Sequence, residues 1–99
     1  MIDLLSKIYV DLNELVIRRV SHDKEILSTR IIKVHTKICE YCFNIKSSNK
    51  DKNYMLEFKV SIKYILFILN YFVSKKIINN DVYKIIEKEY KDLYYIINP

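Results

Sequence analysis

Apolar residues recur every three or four positions in four blocks, separated by polar runs. The first block, Ile2, Leu5, Ile8, Leu12 and Leu15, has the spacing of an amphipathic helix that continues to about Arg19. Ser21-His22-Asp23 then offers side-chain oxygens suited to capping a second helix, whose seam is Leu27, Ile31, Val34, Ile38, Cys42 and Ile45. The most polar run, Lys46 to Asn53, predicts a loop leading into a third helix from about Asp51 to Lys75. The seam of that helix is Met55, Phe58, Ile62, Ile65, Leu69 and Phe72. Asn79-Asn80-Asp81 predicts the cap of a fourth helix that carries Val82, Ile85, Ile86, Leu93, Ile96 and Ile97. Short connections favour antiparallel neighbours. The expected architecture is therefore all-α, an antiparallel up-down-up-down four-helix bundle forming a single domain over residues 1–99.

One stretch departs from the one-stripe pattern. From Tyr64 to Val73 the third helix is apolar nearly all round, which is expected of a helix buried on more than one side. A monomeric bundle buries one stripe per helix, so this stretch predicts a subunit interface that includes Tyr64, Phe67, Ile68 and Tyr71. Nine tyrosines are present, and Tyr83, Tyr90 and Tyr94 align along the last helix. Tyrosines in such a row stack bases or line an interface where the phenol stays hydrated; the interface reading is preferred, with Tyr90 and Tyr94 in it.

Composition narrows the function classes. The chain has no glycine, and its one proline is Pro99. Tight hairpins and glycine-rich phosphate loops are therefore not expected, and with them most enzyme architectures. Hydrophobic residues make up 51% of the sequence, too many for a disordered tail. No secretory leader is expected in the amphipathic N-terminal segment, and the longest apolar stretch is about half of the roughly 20 residues that span a bilayer. The expected setting is cytoplasmic, with no membrane association and with both cysteines as thiols.

Seventeen basic residues against twelve acidic leave a net charge of +5, which suggests a polyanionic partner, RNA, DNA or an acidic membrane surface, without choosing among them. The surplus is uneven. Residues 21–50 and 51–76 each carry a net +3, residues 1–20 are neutral and residues 77–99 carry −1. Arg30, Lys33 and Lys37 fall on one helical stripe, and Lys52, Lys59 and Lys63 on another. Cations in rows match the regular spacing of phosphates and gain from counterion release. The same rows also suit the solvated faces of two amphipathic helices.

Two constellations bear on chemistry. Cys39-Glu40-Tyr41-Cys42 is a CxxC with His35 four residues before it, on one helical face. Structural zinc takes four ligands, usually from two pairs, and no second pair exists; core thiols are the preferred reading, with no metal and no cofactor. Arg30-Ile-Ile-Lys-Val-His35 matches the R-x4-H spacing of the HEPN ribonucleases, in which arginine would stabilise phosphorane-like charge while histidine moves a proton. An enzyme of that kind, or a helical protein–protein adaptor, is the alternative to a non-catalytic binding protein.

The order and character of the segments from Arg19 to Asn98 carry a family resemblance. A basic–polar hinge over residues 18–24 leads to Ile-Leu-Ser-Thr-Arg-Ile-Ile at 26–32, and a Lys-rich loop at 48–52 precedes a long helix beginning Met55-Leu-Glu-Phe. Lys76-Ile-Ile-Asn-Asn-Asp-Val-Tyr83 then introduces a last helix with Lys-Asp-Leu at 91–93. This pattern resembles the accessory variability determinant proteins of diversity-generating retroelements, within the four-helix-bundle group that includes the proteins of ribosomal RNA intervening sequences. The resemblance implies a homopentamer with a basic surface that binds nucleic acid and a reverse transcriptase and supports mutagenic complementary-DNA synthesis. On matching positions, it makes Arg30, Lys33, Lys37, Lys59 and Lys63 the nucleic-acid candidates.

Overall fold

A computed structural model describes residues 1–47 and 52–99, without the side chain of Lys52. Residues 48–51, in the expected polar connection, lie outside the described residues, as does the side-chain position of Lys52 in the second basic stripe. Four α-helices account for most of the rest, with no strand among the described residues: α1 (Ile2–Asp11), α2 (Glu25–Lys46), α3 (Lys52–Ser74) and α4 (Asn80–Ile97). At 1.5 Å per residue α3 is about 34 Å long, and it sets the long dimension of a body measuring 41 × 23 × 19 Å.

The contacts give the topology. Lys24 lies over the Tyr71 ring and Tyr41 meets Tyr54, so α2 and α3 run in opposite directions. Phe58 stacks with Tyr94 while Val73 and Val82 line one cavity, which makes α3 and α4 antiparallel. Lys7 faces Glu89 while Arg19 reaches Val82, so the first segment returns along α4. The result is the expected all-α, up-down-up-down bundle.

The core is one seam per helix. Leu5, Ile8 and Leu12 face Ile31, Ile38 and Cys42, and these meet Phe58, Ile65, Leu69 and Phe72 of α3 and Ile86, Leu93 and Ile97 of α4. The expectation for the apolar half of α3 is corrected here. Ile68 is buried inside the protomer, and Leu66, Tyr71 and Val73 are partly buried against the same core. The reason is position: α3 lies between α2 and α4 and buries a stripe against each. Of the expected interface residues on this helix, Tyr64 and Phe67 remain exposed, continuing an exposed apolar stripe from Leu56 and Val60 at helical spacing.

Three local features depart from the pattern. The first helix does not run as one α-helix to Arg19; Leu12–Val16 is a π-helical turn and Ile17–Arg19 a 3₁₀ turn. Through the wider π turn Val16 becomes the fully buried residue, while Leu15 is only partly buried against the core. Ser21 does not cap α2. Its hydroxyl donates to the Asp23 carboxylate, and α2 starts at Glu25, with no side-chain cap at Lys24. Asn79 does cap α4 as expected, its side-chain oxygen accepting the Val82 N–H at 3.0 Å.

The third departure ends α3. Ile77 N–H donates to Phe72 O at 2.9 Å and Lys76 N–H to Val73 O at 3.0 Å, the paired bonds of a Schellman motif. The motif needs a left-handed residue, and a glycine-free chain supplies Lys76 at φ 60°. Partly buried Ile77 then packs toward the core, the apolar contact that accompanies this motif. A non-glycine residue held there costs on the order of 1 kcal/mol. Glycine would remove that strain and add unfolded-state freedom, two effects of opposite sign. Replacing Lys76 with glycine is expected to stabilise the fold by about 0.5 kcal/mol, read as a higher urea midpoint at unchanged m-value.

Candidate nucleic-acid interface

The five predicted cations are exposed, and the fold divides them between two places. Arg30 and Lys33 line a depression on α2 with Glu25, Ile26 and Thr29, and Lys33 and Lys37 line another with Ile32, Val34 and Thr36. Both depressions are formed by α2 alone. Lys37 is engaged by Glu40 at 3.4 Å; Arg30 and Lys33 form no ion pair among the described residues.

Lys59 and Lys63 line a groove of about 310 Å³ between α3 and α4. Its floor is apolar, from Ile62, Leu66 and the body of Tyr90. Its rim adds Lys91, Glu87, Tyr94 and Tyr95. Three lysines thus face one carboxylate. Neither Lys63 nor Lys91 forms an ion pair among the described residues. Lys59 lies 5.5 Å from the centroid of the Tyr94 ring, which also stacks on Phe58, parallel to within 6° at 6.2 Å. Asn98 donates an amide hydrogen to the Tyr94 oxygen at 3.0 Å. That bond, with Lys59 beside the ring, holds the Tyr94 phenol below its ordinary range. Charge beside aromatic rings on an apolar floor is suited to phosphates and bases together.

Lys91 and Tyr95 were not legible as site residues. The negative sum over residues 77–99 hides Lys91, and its spacing from Tyr95 is visible only as an i, i+4 pair on α4. The predicted interface tyrosine Tyr90 is also relocated: it is fully buried in the protomer core. Tyr94 is half-buried on the groove, and Tyr83 is half-buried on the same helix.

Tyr90 is inside because a histidine meets it there. His35, 2% exposed, has Nδ1 2.8 Å from the Tyr90 hydroxyl and Nε2 3.1 Å from the Leu5 carbonyl. A carbonyl can only accept, so Nε2 carries the hydrogen and Nδ1 accepts from Tyr90. Burial pushes the imidazole below its ordinary value and the Tyr90 phenol well above its own. Arg30 is exposed on the same helix, about 140° around the axis from His35 at 100° per residue. The R-x4-H spacing therefore does not bring the two side chains to one site. The CxxC thiols are likewise inward: Cys39 is half-buried, and burial with the neighbouring Cys39 pushes the Cys42 thiol up to about 12. No cluster of three or more metal-ligating side chains occurs among the described residues.

A second cavity, about 330 Å³, lies between α1 and α2 and is almost wholly apolar, with Ile2, Tyr9, Val10 and Phe43 around it. A carboxyl pair sits between α1 and α4. Glu89 is 7% exposed, and neither of its oxygens has a hydrogen-bond partner among the described residues; its nearest cation is Lys7 at 3.7 Å. Burial, then the neighbouring Asp11, pushes the Glu89 carboxyl up to about 7. Asp11 is displaced in the other direction: burial opposes this, but Glu89 and Lys7 outweigh it, the latter through an ion pair at 3.0 Å.

The chain matches no protein-family model, no characterised protein and no solved structure in comparisons with each. No helix among the described residues is long and apolar enough to cross a membrane.

Two of the buried titratable groups, Glu89 and His35, act on stability in opposite senses. Glu89 is raised from 4.5, so its contribution is complete below about 4.5 and is lost as pH rises through about 7. His35 is lowered from 6.5, so its contribution is present above 6.5 and is lost as pH falls through the depressed value. Stability is expected to peak in the weakly acid range. In E89Q the fall between pH 5 and 8 should disappear while the acid-side fall remains, measured as urea midpoints across pH.

Proposed function

We propose that this protein is a non-catalytic, oligomeric nucleic-acid-binding protein, of the kind that assists a diversity-generating retroelement reverse transcriptase in mutagenic complementary-DNA synthesis. The observation that carries the binding reading is the α3–α4 groove, where Lys59, Lys63 and Lys91 stand around an apolar floor with Tyr94 and Tyr95 and a single carboxylate. The α2 cations Arg30 and Lys33 add exposed positive charge with no ion-pair partner among the described residues, and the net charge of +5 has the sign a polyanion requires. The retroelement role rests on the resemblance of the segment order from Arg19 to Asn98.

The oligomeric part rests on the α3 stripe. Phe67 is 74% exposed and continues the line of Leu56, Val60 and Tyr64, an apolar face of the kind that marks interaction surfaces. A homo-oligomer, with five copies as the resemblance implies, would cover it. Catalysis belongs to the partner enzyme in this reading, because the chain's histidine at the R-x4-H spacing is committed to holding helices together.

RNA and DNA binding is expected to weaken steeply as salt rises from 50 to 200 mM, as anisotropy titrations would register. Lys63→Glu with Lys91→Glu should remove most of the affinity, and Lys33→Glu with Lys37→Glu should remove a share that depends on how far the ligand extends over α2. Circular dichroism should be unchanged in both double variants. Light scattering should report a multimer for the wild type. Unchanged affinity in both double variants would place binding elsewhere, and a monomer with no affinity would leave only a helical adaptor.

A further inference from the structure

The rim of the α3–α4 groove holds two tyrosines with different freedom. Tyr94 is engaged on every side that the described contacts report: its ring parallels Phe58, Lys59 lies beside it and its oxygen takes the Asn98 amide. Tyr95, one residue on, is 67% exposed and among the described residues has a single ring contact, an edge-type approach to Tyr94 at 6.3 Å and 72°. The groove also holds Lys63 and Lys91 outside any ion pair among the described residues. A free aromatic face, free cations and an apolar trough therefore share one concavity of about 310 Å³.

We infer that this groove takes a single-stranded segment of nucleic acid, one base stacking on Tyr95 and the flanking phosphates meeting Lys63, Lys91 and Lys59. The inference rests on the nucleic-acid reading above and narrows it to one strand state. A stacked duplex offers phosphates, sugars and base edges to a surface but keeps its base faces inside, so an exposed ring has no base face to stack on. An unpaired nucleotide offers phosphate and base face. The volume of the groove is at the small end of ligand sites, which suits a short segment and not a whole helix. Charge complementarity favours an anionic occupant, since three exposed lysines and one glutamate stand around the groove. The engaged Tyr94 has a part as well, because its contact with Lys59 orders a long cation at the mouth of the groove before any ligand arrives.

The test is a set of anisotropy titrations at one salt concentration with fluorescein-labelled 12-nucleotide oligo(U) and oligo(dT), and with 12-base-pair RNA and DNA duplexes. Wild type should bind at least one single strand about tenfold more tightly than its duplex. Y95A should weaken that single-strand binding by roughly 5- to 100-fold, the range found for loss of one base–aromatic stack. Y95F should retain it, and duplex binding should change little in either variant. Tyr95 is exposed, so circular dichroism should not distinguish the variants from wild type. The RNA and DNA arms identify the sugar the groove accepts. Equal binding of single and double strands in both arms, or a Y95A variant that binds single strands as wild type does, would overturn the single-strand assignment while leaving nucleic-acid binding intact. Failure of all four probes to bind would overturn both.

Discussion

The imidazole of His35 satisfies both of its ring nitrogens only while three helices stand in one register. Nε2 donates to the Leu5 carbonyl of α1 and Nδ1 accepts from Tyr90 of α4, while the ring itself is carried by α2. Apolar seams tolerate sliding, because one aliphatic contact replaces another at similar cost. A buried polar pair does not, since a shift of one turn would leave a phenol, a ring nitrogen and a carbonyl unpaired in a dry interior, each costing about 1–3 kcal/mol. The neutral state of the ring, enforced by its burial, belongs to the same constraint.

With the inner register held, each groove between helices acquires its own chemistry. Between α1 and α2 the walls are apolar. Between α3 and α4 they carry lysines and tyrosines around an apolar floor. Between α1 and α4 a carboxyl pair with one nearby lysine is enclosed. Among the described residues, the distinguishing chemistry of the bundle is placed where two helix faces meet. The tight turn after α3 belongs to this economy. In the absence of glycine, Lys76 takes the left-handed position, and α3 ends at Ser74, shortly before Ile77 and Ile78, which return to the core.

Much of this could be read from residue order. The i, i+3, i+4 recurrence located all four helices, and the Asn79 cap was legible because an Asn-Asn-Asp run before an apolar period has one common use. The failures are instructive. Ser21-His22-Asp23 looked like a cap, but its hydroxyl and carboxylate were close enough to satisfy each other. Ile68 looked like an interface residue because a one-stripe rule undercounts the burial of a helix that has neighbours on two sides, and Tyr90 because it belongs to a tyrosine row, whereas its hydroxyl is paired with His35 in the core. Glu89 falls on the apolar register of α4, between Ile86 and Leu93, and is buried there. The R-x4-H spacing was a true match of letters whose two members a helix sends to opposite environments.

By itself, the order of residues determined the class of fold, the approximate helix limits and the excess of positive charge, because these follow from local periodicity and from composition. It did not determine which cations share a surface. Lys59, Lys63 and Lys91 come from helices separated in the chain, and they meet because α3 and α4 pack antiparallel in a particular rotation. Nor did it determine that Tyr94 is engaged while Tyr95 is free, or that His35 is neutral and inward. Those are properties of which face of each helix is turned to its neighbours, and that rotation is set by the packing of all four seams at once.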